Sequence, residues 1–245
     1  MLQTSMNYPR TLLALVLLFH LHGIVFAQPR SDRDLTPLHD TQAWLQVLGI
    51  VPVGERTLLH LEGQPRWNED AGDFDSLLLR AAVGWRAGSR ATAWGGYAYV
   101  PRFLDGGQVV HEHRWWEQLL VTLPPSARWT PSVRVRVEQR IVDQWADASH
   151  RIRGMVRGVR PIGGSRWSVA VSDEYFHTVD DTAGGPRRGF DQNRAFGGVT
   201  RRFSPAVTLE VGYLWQYLPS SPTLPRRHNH TALAWLMNAP PAPRK

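Results

Sequence analysis

The chain of 245 residues contains no cysteine and a single lysine, Lys245. Without cysteine, neither a disulfide nor a thiolate metal site can form. Because Lys and Arg together number 28, nearly every cation is an arginine. A guanidinium group binds carboxylates in a two-pronged geometry and is less heavily hydrated than an ammonium group. The arginine bias therefore indicates confined or buried ion pairs.

Long apolar runs are also missing, except near the beginning of the chain. Residues 1–27 have the pattern of a cleaved secretory signal peptide, with Arg10 as the positive n-region and residues 11–26 as the apolar h-region. A transmembrane helix is the alternative, but His20 and His22 interrupt the run, which is shorter than the roughly 20 apolar residues that span a bilayer. The absence of cysteine after the cleavage site disfavours a lipid-anchored lipoprotein. We therefore expect an exported chain.

Residues 133–141 (VRVRVEQRI) alternate strictly between apolar and polar side chains, which predicts a β-strand. Three arginines and one glutamate share one face, and three valines and an isoleucine share the other. The segment also has about the 9 to 11 residues that a tilted strand needs to cross a bilayer. The charged face needs either water or a polar, ion-paired interior. The pattern predicts a membrane barrel strand with a charged lumen.

The same pattern along the chain predicts an all-β protein, an antiparallel up-and-down transmembrane β-barrel of about 10 to 12 strands. The candidate strands are residues 41–51, 57–66, 76–85, 91–100, 111–122, 133–141, 150–159, 167–176, 192–201, 207–217 and 231–237. Since single-chain bacterial barrels nearly always have an even number of strands, we expect ten or twelve. We expect residues 28–40 to form a mobile N-terminal arm, 41–238 the barrel and 239–245 a C-terminal tail.

Alternation alone does not show which face points inward. A soluble lipocalin-like barrel would place its apolar residues inside and its charges outside. Five aromatic side chains favour the membrane alternative, because they fall on the apolar face near strand ends, where an interfacial belt forms. They are Trp85, Trp115, Tyr213, Trp215 and Trp235.

If the charged faces point inward, arginines outnumber glutamates in the lumen. The predicted interior set is Arg66, Arg80, Arg114, Arg134, Arg136, Arg140, Arg151, Arg153, Arg157 and Arg194 with Glu62, Glu112, Glu138, Glu174 and Glu210. One interpretation is a structural ladder, because ionised groups taken out of bulk water need paired partners. The other is a narrow, porin-like pore, in which unpaired arginines attract phosphate or carboxylate solutes.

A hydrolase would need a serine, a histidine and an acid at one rim of the barrel. The candidates are His60 with Glu62 and Ser172 with Glu174, and no nucleophile motif such as G-x-S-x-G accompanies them. We therefore expect no enzymatic activity and no cofactor. Nucleic-acid binding, which the net charge of +7 could suggest, is disfavoured because the cations alternate inward instead of clustering with exposed aromatic residues.

Two histidine pairs are the remaining candidates for a metal site. His111 and His113 lie two residues apart, as do His228 and His230, so each pair could reach one ion from a single strand face. Histidines at strand ends are more often solvated rim residues, and we expect no bound metal.

Four short motifs occur in a characteristic order, and together they resemble the domain of unknown function family 2490. They are Glu112-His113-Arg114 with Gln118, residues 134–140, Asp191-Gln192-Asn193-Arg194, and Gly212-Tyr213. The resemblance covers nearly all of the chain after residue 27. It implies a barrel in the outer membrane of a Gram-negative bacterium, and it implies no reaction.

From this resemblance and the export signal we expect a monomer in the bacterial outer membrane. Its expected partners are outer-membrane lipid and the barrel-assembly machinery, with small anions as candidate solutes. One feature departs from the pattern of such barrels, which commonly end on an aromatic residue that is recognised during assembly. Here the chain continues past Trp235 into the tail.

Overall fold

The computed structural model describes residues 36–221 and 225–239, which form eleven strands and one 3-10 turn, Asp105–Gly107. No helix in this part of the chain is long and apolar enough to cross a membrane. The prediction of an all-β protein is confirmed. The strands are β1 (Leu38–Pro52), β2 (Thr57–Asn68), β3 (Asp73–Arg86), β4 (Ala91–Phe103), β5 (Val109–Thr122), β6 (Thr130–Val142), β7 (Ser149–Pro161), β8 (Trp167–Thr178), β9 (Gly189–Arg202), β10 (Val207–Leu218) and β11 (Arg227–Asn238).

The strands close into a single barrel, in which each strand pairs with its neighbours in the chain and β1 pairs with β11. Consecutive strands are antiparallel, whereas β1 and β11 run parallel, with Trp44 opposite Leu233 in the register. Strands that alternate in direction can close in an odd number only through one parallel pair. The predicted barrel of about 10 to 12 strands is therefore confirmed, and all eleven predicted segments are strands, while the expectation of an even number was wrong. The pair of β1 and β11 departs from the predicted antiparallel pattern.

Several observed boundaries differ from the predicted ones. Strand β1 begins at Leu38, so the last three residues of the predicted arm, 28–40, belong to the barrel. Strand β11 begins at Arg227, four residues before the predicted position. The predicted signal peptide, the first eight residues of the arm and residues 240–245 of the tail lie outside the described residues.

The barrel has two unlike rims. At the loop rim, where β1 begins, the connections are residues 69–72, 104–108, 143–148, 179–188 and 219–226. At the turn rim, where β11 ends, the connections are residues 53–56, 87–90, 123–129, 162–166 and 203–206. The longer connections gather at the loop rim, as expected for a barrel whose two ends face different compartments.

The wall of the barrel is apolar outside and charged inside. On β6, the outward Val135 and Val137 are 48% and 45% exposed, whereas the inward Arg136 and Glu138 are 3% and 2% exposed. A soluble barrel would show the reverse arrangement. The lipocalin-like alternative is therefore wrong, and the outer surface fits a lipid environment.

The aromatic residues used to argue for lipid do not all face outward. Trp85, Trp115 and Tyr213 are 50–57% exposed on the outer surface. Trp235 instead lines the interior cavity, with the guanidinium carbon of Arg157 5.9 Å from its ring centroid. The prediction that Trp235 faces lipid was wrong. Asn229 and Thr231 are buried, so every second residue counted from them on β11 points inward, and Trp235 is one of these.

Histidine and tyrosine side chains form a belt on the outer surface near the loop rim. The hydroxyl of Tyr99 lies 2.6 Å from Nδ1 of His111 on the β4–β5 hairpin. At the junction of β1 and β11, Nδ1 of His39 lies 3.0 Å from Nε2 of His230, whose Nδ1 lies 2.6 Å from the hydroxyl of Tyr213. Rings with one polar edge concentrate where a membrane meets water, and this belt has that composition.

Two clusters of apolar side chains lie on the inner side of the barrel wall. The first combines Leu58, Ala82, Trp94, Ala98 and Trp116, with Ile50 packed against it. The second combines Trp44, Ala170, Phe196 and Leu214, with Val159 and Leu233 packed against it. Most of these residues lie in the halves of their strands nearer the turn rim, so the barrel is apolar towards that end.

The ring of Trp94 depends on a glycine in the neighbouring strand. A Cβ at Gly84 would overlap the Trp94 ring, whereas a Cβ at the outward Gly95 would meet no atom within 4 Å. We expect Gly84→Ala to destabilise the barrel by about 1 to 3 kcal/mol, the usual cost of overpacking. Urea unfolding in lipid vesicles, followed by tryptophan fluorescence, measures this loss. Gly95→Ala in the same hairpin is the matched control, and equal effects of the two variants would contradict the packing argument.

Candidate functional site

A cavity of about 720 Å³ occupies the interior of the barrel. Its lining includes residues at the loop-rim ends of their strands, among them Leu38, Asn68, Arg102 and Leu218. Trp94 and Trp116, by contrast, are not in the lining. Polar and charged side chains make up most of the lining, to which the second apolar cluster adds Trp44, Phe196, Leu214 and Leu233.

Glu138 on β6 is the centre of the charged network. Its Oε2 accepts hydrogen bonds from Nη2 and Nε of Arg151 at 2.6 and 3.0 Å, and its Oε1 accepts one from Nη1 of Arg153 at 2.6 Å. Nη1 of Arg136 lies 3.6 Å from Oε1. One buried carboxylate therefore neutralises charge from three guanidinium groups, and strict alternation on β6 and β7 places all of them inside.

Other pairs reach past neighbouring strands. Glu174 on β8 binds Arg153 through two hydrogen bonds of 2.9 and 3.0 Å, and binds Arg134 on β6 at 2.6 Å. Arg157 on β7 donates to both carboxylate oxygens of Glu210 on β10, at 3.1 and 2.5 Å. These bonds pass over one strand and two strands respectively, so they brace the barrel across its interior.

Two further carboxylates bind arginines on the side of the barrel formed by β2 to β6. Glu112 accepts a two-pronged pair of hydrogen bonds from Arg114 at 2.7 and 2.8 Å, and a third from Nε of Arg140 at 2.5 Å. Glu62 accepts a hydrogen bond from Nη1 of Arg80 at 2.7 Å. Charge-assisted, two-pronged bonds of this kind are the strong ones in proteins.

Two interior arginines lie apart from this pairing. Arg66 and Arg194 place their guanidinium carbons 4.2 and 4.9 Å from the ring centroid of Trp44. Arg66 donates to the amide oxygen of Gln64 at 3.1 and 2.5 Å. Within the described residues, neither arginine has a carboxylate oxygen within 4.0 Å, and Nε of Arg194 is buried with no hydrogen-bond partner.

The mouth of the cavity, near the loop rim, carries charges of both signs. Its lining includes four carboxylates, Asp40, Glu69, Asp70 and Asp75, and two arginines, Arg102 and Arg227. Nε of Arg102 lies 3.9 Å from Oδ1 of Asp75. In the turn at residues 69–72, the charges of Asp73 and Asp105 raise the pKa of Glu69 above its usual value.

The structure places all fifteen predicted interior residues on the inner face, and thirteen of them lie within ion-pair distance of an opposite charge. These thirteen are Glu62, Arg80, Glu112, Arg114, Arg134, Arg136, Glu138, Arg140, Arg151, Arg153, Arg157, Glu174 and Glu210. Among the described residues, Arg66 and Arg194 are the exceptions, and both lie beside Trp44.

Several interior residues were not predicted from the sequence as part of the site. Asp191 accepts a hydrogen bond from Nη1 of Arg151 at 3.0 Å, and Gln118 accepts two from Arg136 at 3.0 and 2.6 Å. Trp44 lies on a strand that was predicted from its apolar character. A signal was present, because Trp44 shares its parity with Gln42 and Gln46, the polar positions of that strand.

The candidate hydrolase and metal residues have ordinary partners. Nε2 of His60 lies 2.9 Å from Glu62, which is also bound by Arg80. Ser172 shares the inner face with Glu174 and lines the cavity. Among the described residues, no group of three or more His, Asp or Glu side chains could hold a metal ion.

The fold and its interior define a closed β-barrel with an apolar outer wall and a buried network of arginines and carboxylates. The chain belongs to the protein family of unknown function DUF2490, whose model matches residues 41–227. The resemblance seen in the motifs is therefore confirmed. An uncharacterized protein of Methylorubrum extorquens is 31% identical over 182 residues, which cover 74% of this chain and 79% of that protein. No solved structure matches the chain.

Proposed function

We propose that the protein is a monomeric barrel of the Gram-negative outer membrane and that its charged interior has a structural role. The predicted signal peptide, the apolar outer wall and the belt of histidine and tyrosine support the location. Outer-membrane lipid and the barrel-assembly machinery are then its partners. The wall meets the hydrocarbon with side chains such as Val135 and Val137, and every backbone group of a closed barrel pairs within the protein.

The observation that carries the structural role is the bond between Arg157 and Glu210. It joins β7 to β10 across the interior, so it holds the wall at a fixed width. Glu210 is 1% exposed. A buried carboxylate of this kind needs its partner, since an unpaired buried charge is strongly unfavourable. The interior therefore works as a set of cross-braces.

A pore is the second candidate, and the excess of arginine over carboxylate in the lumen favours it. The arrangement of the cavity counts against it, because the apolar clusters around Trp94 and Trp116 occupy the region between the cavity and the turn rim. A hydrolase is weaker still. Glu62 and Glu174, the acids of its candidate pairs, are already bound to arginines, and we propose that the protein is not an enzyme.

Conductance separates a braced barrel from a pore. We expect refolded protein in a planar bilayer to give no discrete current steps, because the apolar cluster that contains Trp94 and Trp116 lies outside the cavity lining, towards the turn rim. A double variant, Trp94→Ala with Trp116→Ala, removes two large rings from that region, and we expect steps to appear. Circular dichroism establishes that both proteins are folded. Anion-selective steps from the unaltered protein, reduced by Arg153→Glu, would instead establish the pore.

A further inference from the structure

We propose that Arg66, Trp44 and Arg194 form a binding site for a small oxyanion, a carboxylate or a phosphate. The ligand enters from the loop rim and binds between the two guanidinium groups. The site borders the bracing network, in which every arginine already lies beside a carboxylate. Arg194 is opposite Glu174 in the register of β8 and β9, and Arg194 and Arg153 both lie over the ring of Phe176.

The three side chains come from β1, β2 and β9, which lie on both sides of the junction between β1 and β11. Trp44 on β1 and Arg66 on β2 are direct partners in the antiparallel register. Arg194 comes from β9 and reaches the same indole across β10 and β11. Phe176 supports it from the other side, 4.8 Å from the guanidinium carbon. Stacking on aromatic rings holds both guanidinium groups in place.

The hydrogen-bonding capacity of the pair is incompletely used. Gln64 accepts from Nε and Nη2 of Arg66, and within the described part of the chain Arg194 makes neither a hydrogen bond nor an ion pair. Two cations that lie beside one ring repel each other, and an oxyanion between them would relieve that repulsion. Arginine pairs of this kind bind carboxylate and phosphate oxygens in a two-pronged way.

The site is open to a ligand. Arg66, Trp44 and Arg194 all line the cavity of about 720 Å³, a size within the range of small-molecule pockets.

The competing explanation is packing alone, in which Arg194 only fills space between Trp44 and Phe176. Isothermal titration calorimetry of the full barrel in lipid vesicles separates the two. The probes are inorganic phosphate and acetate, titrated separately in low-chloride buffer. We expect saturable binding of one of them at one site per chain, and the probe that saturates identifies the oxyanion. Absence of saturable binding by both would overturn the proposal.

Three variants locate the binding. We expect Arg194→Gln to weaken it about tenfold or more, since a hydrogen bond between charged groups is being lost. Arg194→Lys keeps the charge but removes the two-pronged guanidinium group, and we expect it to weaken binding by a similar factor. Arg134→Gln removes a lumen cation that already binds Glu174, and we expect less than about a threefold change. Equal weakening by Arg134→Gln and Arg194→Gln would show diffuse attraction and overturn the site. Urea midpoints confirm that each variant is folded.

Discussion

Replacing Glu138 with glutamine is expected to destabilise the folded barrel by about 3 to 5 kcal/mol, the cost of breaking a buried ion pair from one side. The carboxylate binds Arg151 and Arg153 and lies 3.6 Å from Arg136. Its removal leaves three guanidinium groups close together in an interior that is 2% exposed at this position. Urea unfolding in lipid vesicles, with the barrel's resistance to detergent at room temperature as a second readout, measures the loss.

The matched control for this prediction is Glu117→Gln on the neighbouring strand. Glu117 lies opposite Val137 in the register and is exposed on the outer surface, so its removal leaves the network intact. We expect the control to be neutral or stabilising, because charge on the lipid face is unfavourable. A loss at Glu117 as large as that at Glu138 would contradict the bracing role.

Replacing Val135 with arginine is expected to block membrane assembly, at a cost of about 2 to 4 kcal/mol for a cation near the bilayer midplane. Val135 is 48% exposed on the outer wall and lies in the middle of β6. Folding into vesicles, followed by the heat-dependent shift in gel migration, reports assembly.

The companion variant, Arg136→Gln, lies one residue further along the same strand and points the other way. Arg136 is one of several arginines around Glu138, and its main hydrogen bonds go to Gln118. We expect this variant to assemble, because Arg151 and Arg153 still neutralise Glu138. If Arg136→Gln failed and Val135→Arg assembled, the membrane orientation of the wall would be wrong.

Local pattern was sufficient to predict the strands. The alternation in residues 133–141 gives the correct inner and outer faces of β6, and eleven segments were found because each has its own period of two. Closure was not predictable in the same way. Pairing of β1 with β11 depends on how the sheet curves, and no local pattern records it. Trp235 was misassigned because β11 contains apolar residues on both faces, which weakens its alternation.

The interior was predicted as a set of residues and not as a set of pairs. Parity places Glu138 and Arg153 inside, but their contact depends on the register between β6 and β7. The bond from Arg157 to Glu210 depends in addition on the width of the barrel, which no pair of strands defines alone. For the same reason, local pattern did not predict that Arg194 has no carboxylate within ion-pair distance among the described residues.

The parallel pairing of β1 and β11 has a kinetic consequence. His39 and His230 are in contact although they lie 191 positions apart, whereas the ten antiparallel pairs join strands consecutive in the chain. Loop-closure entropy rises with separation, and long-range parallel pairing is intrinsically slow. The last event of folding is therefore the joining of two free sheet edges. Until then, both edges can pair with other chains. A chaperone of this protein must therefore shield β1 and β11 in particular.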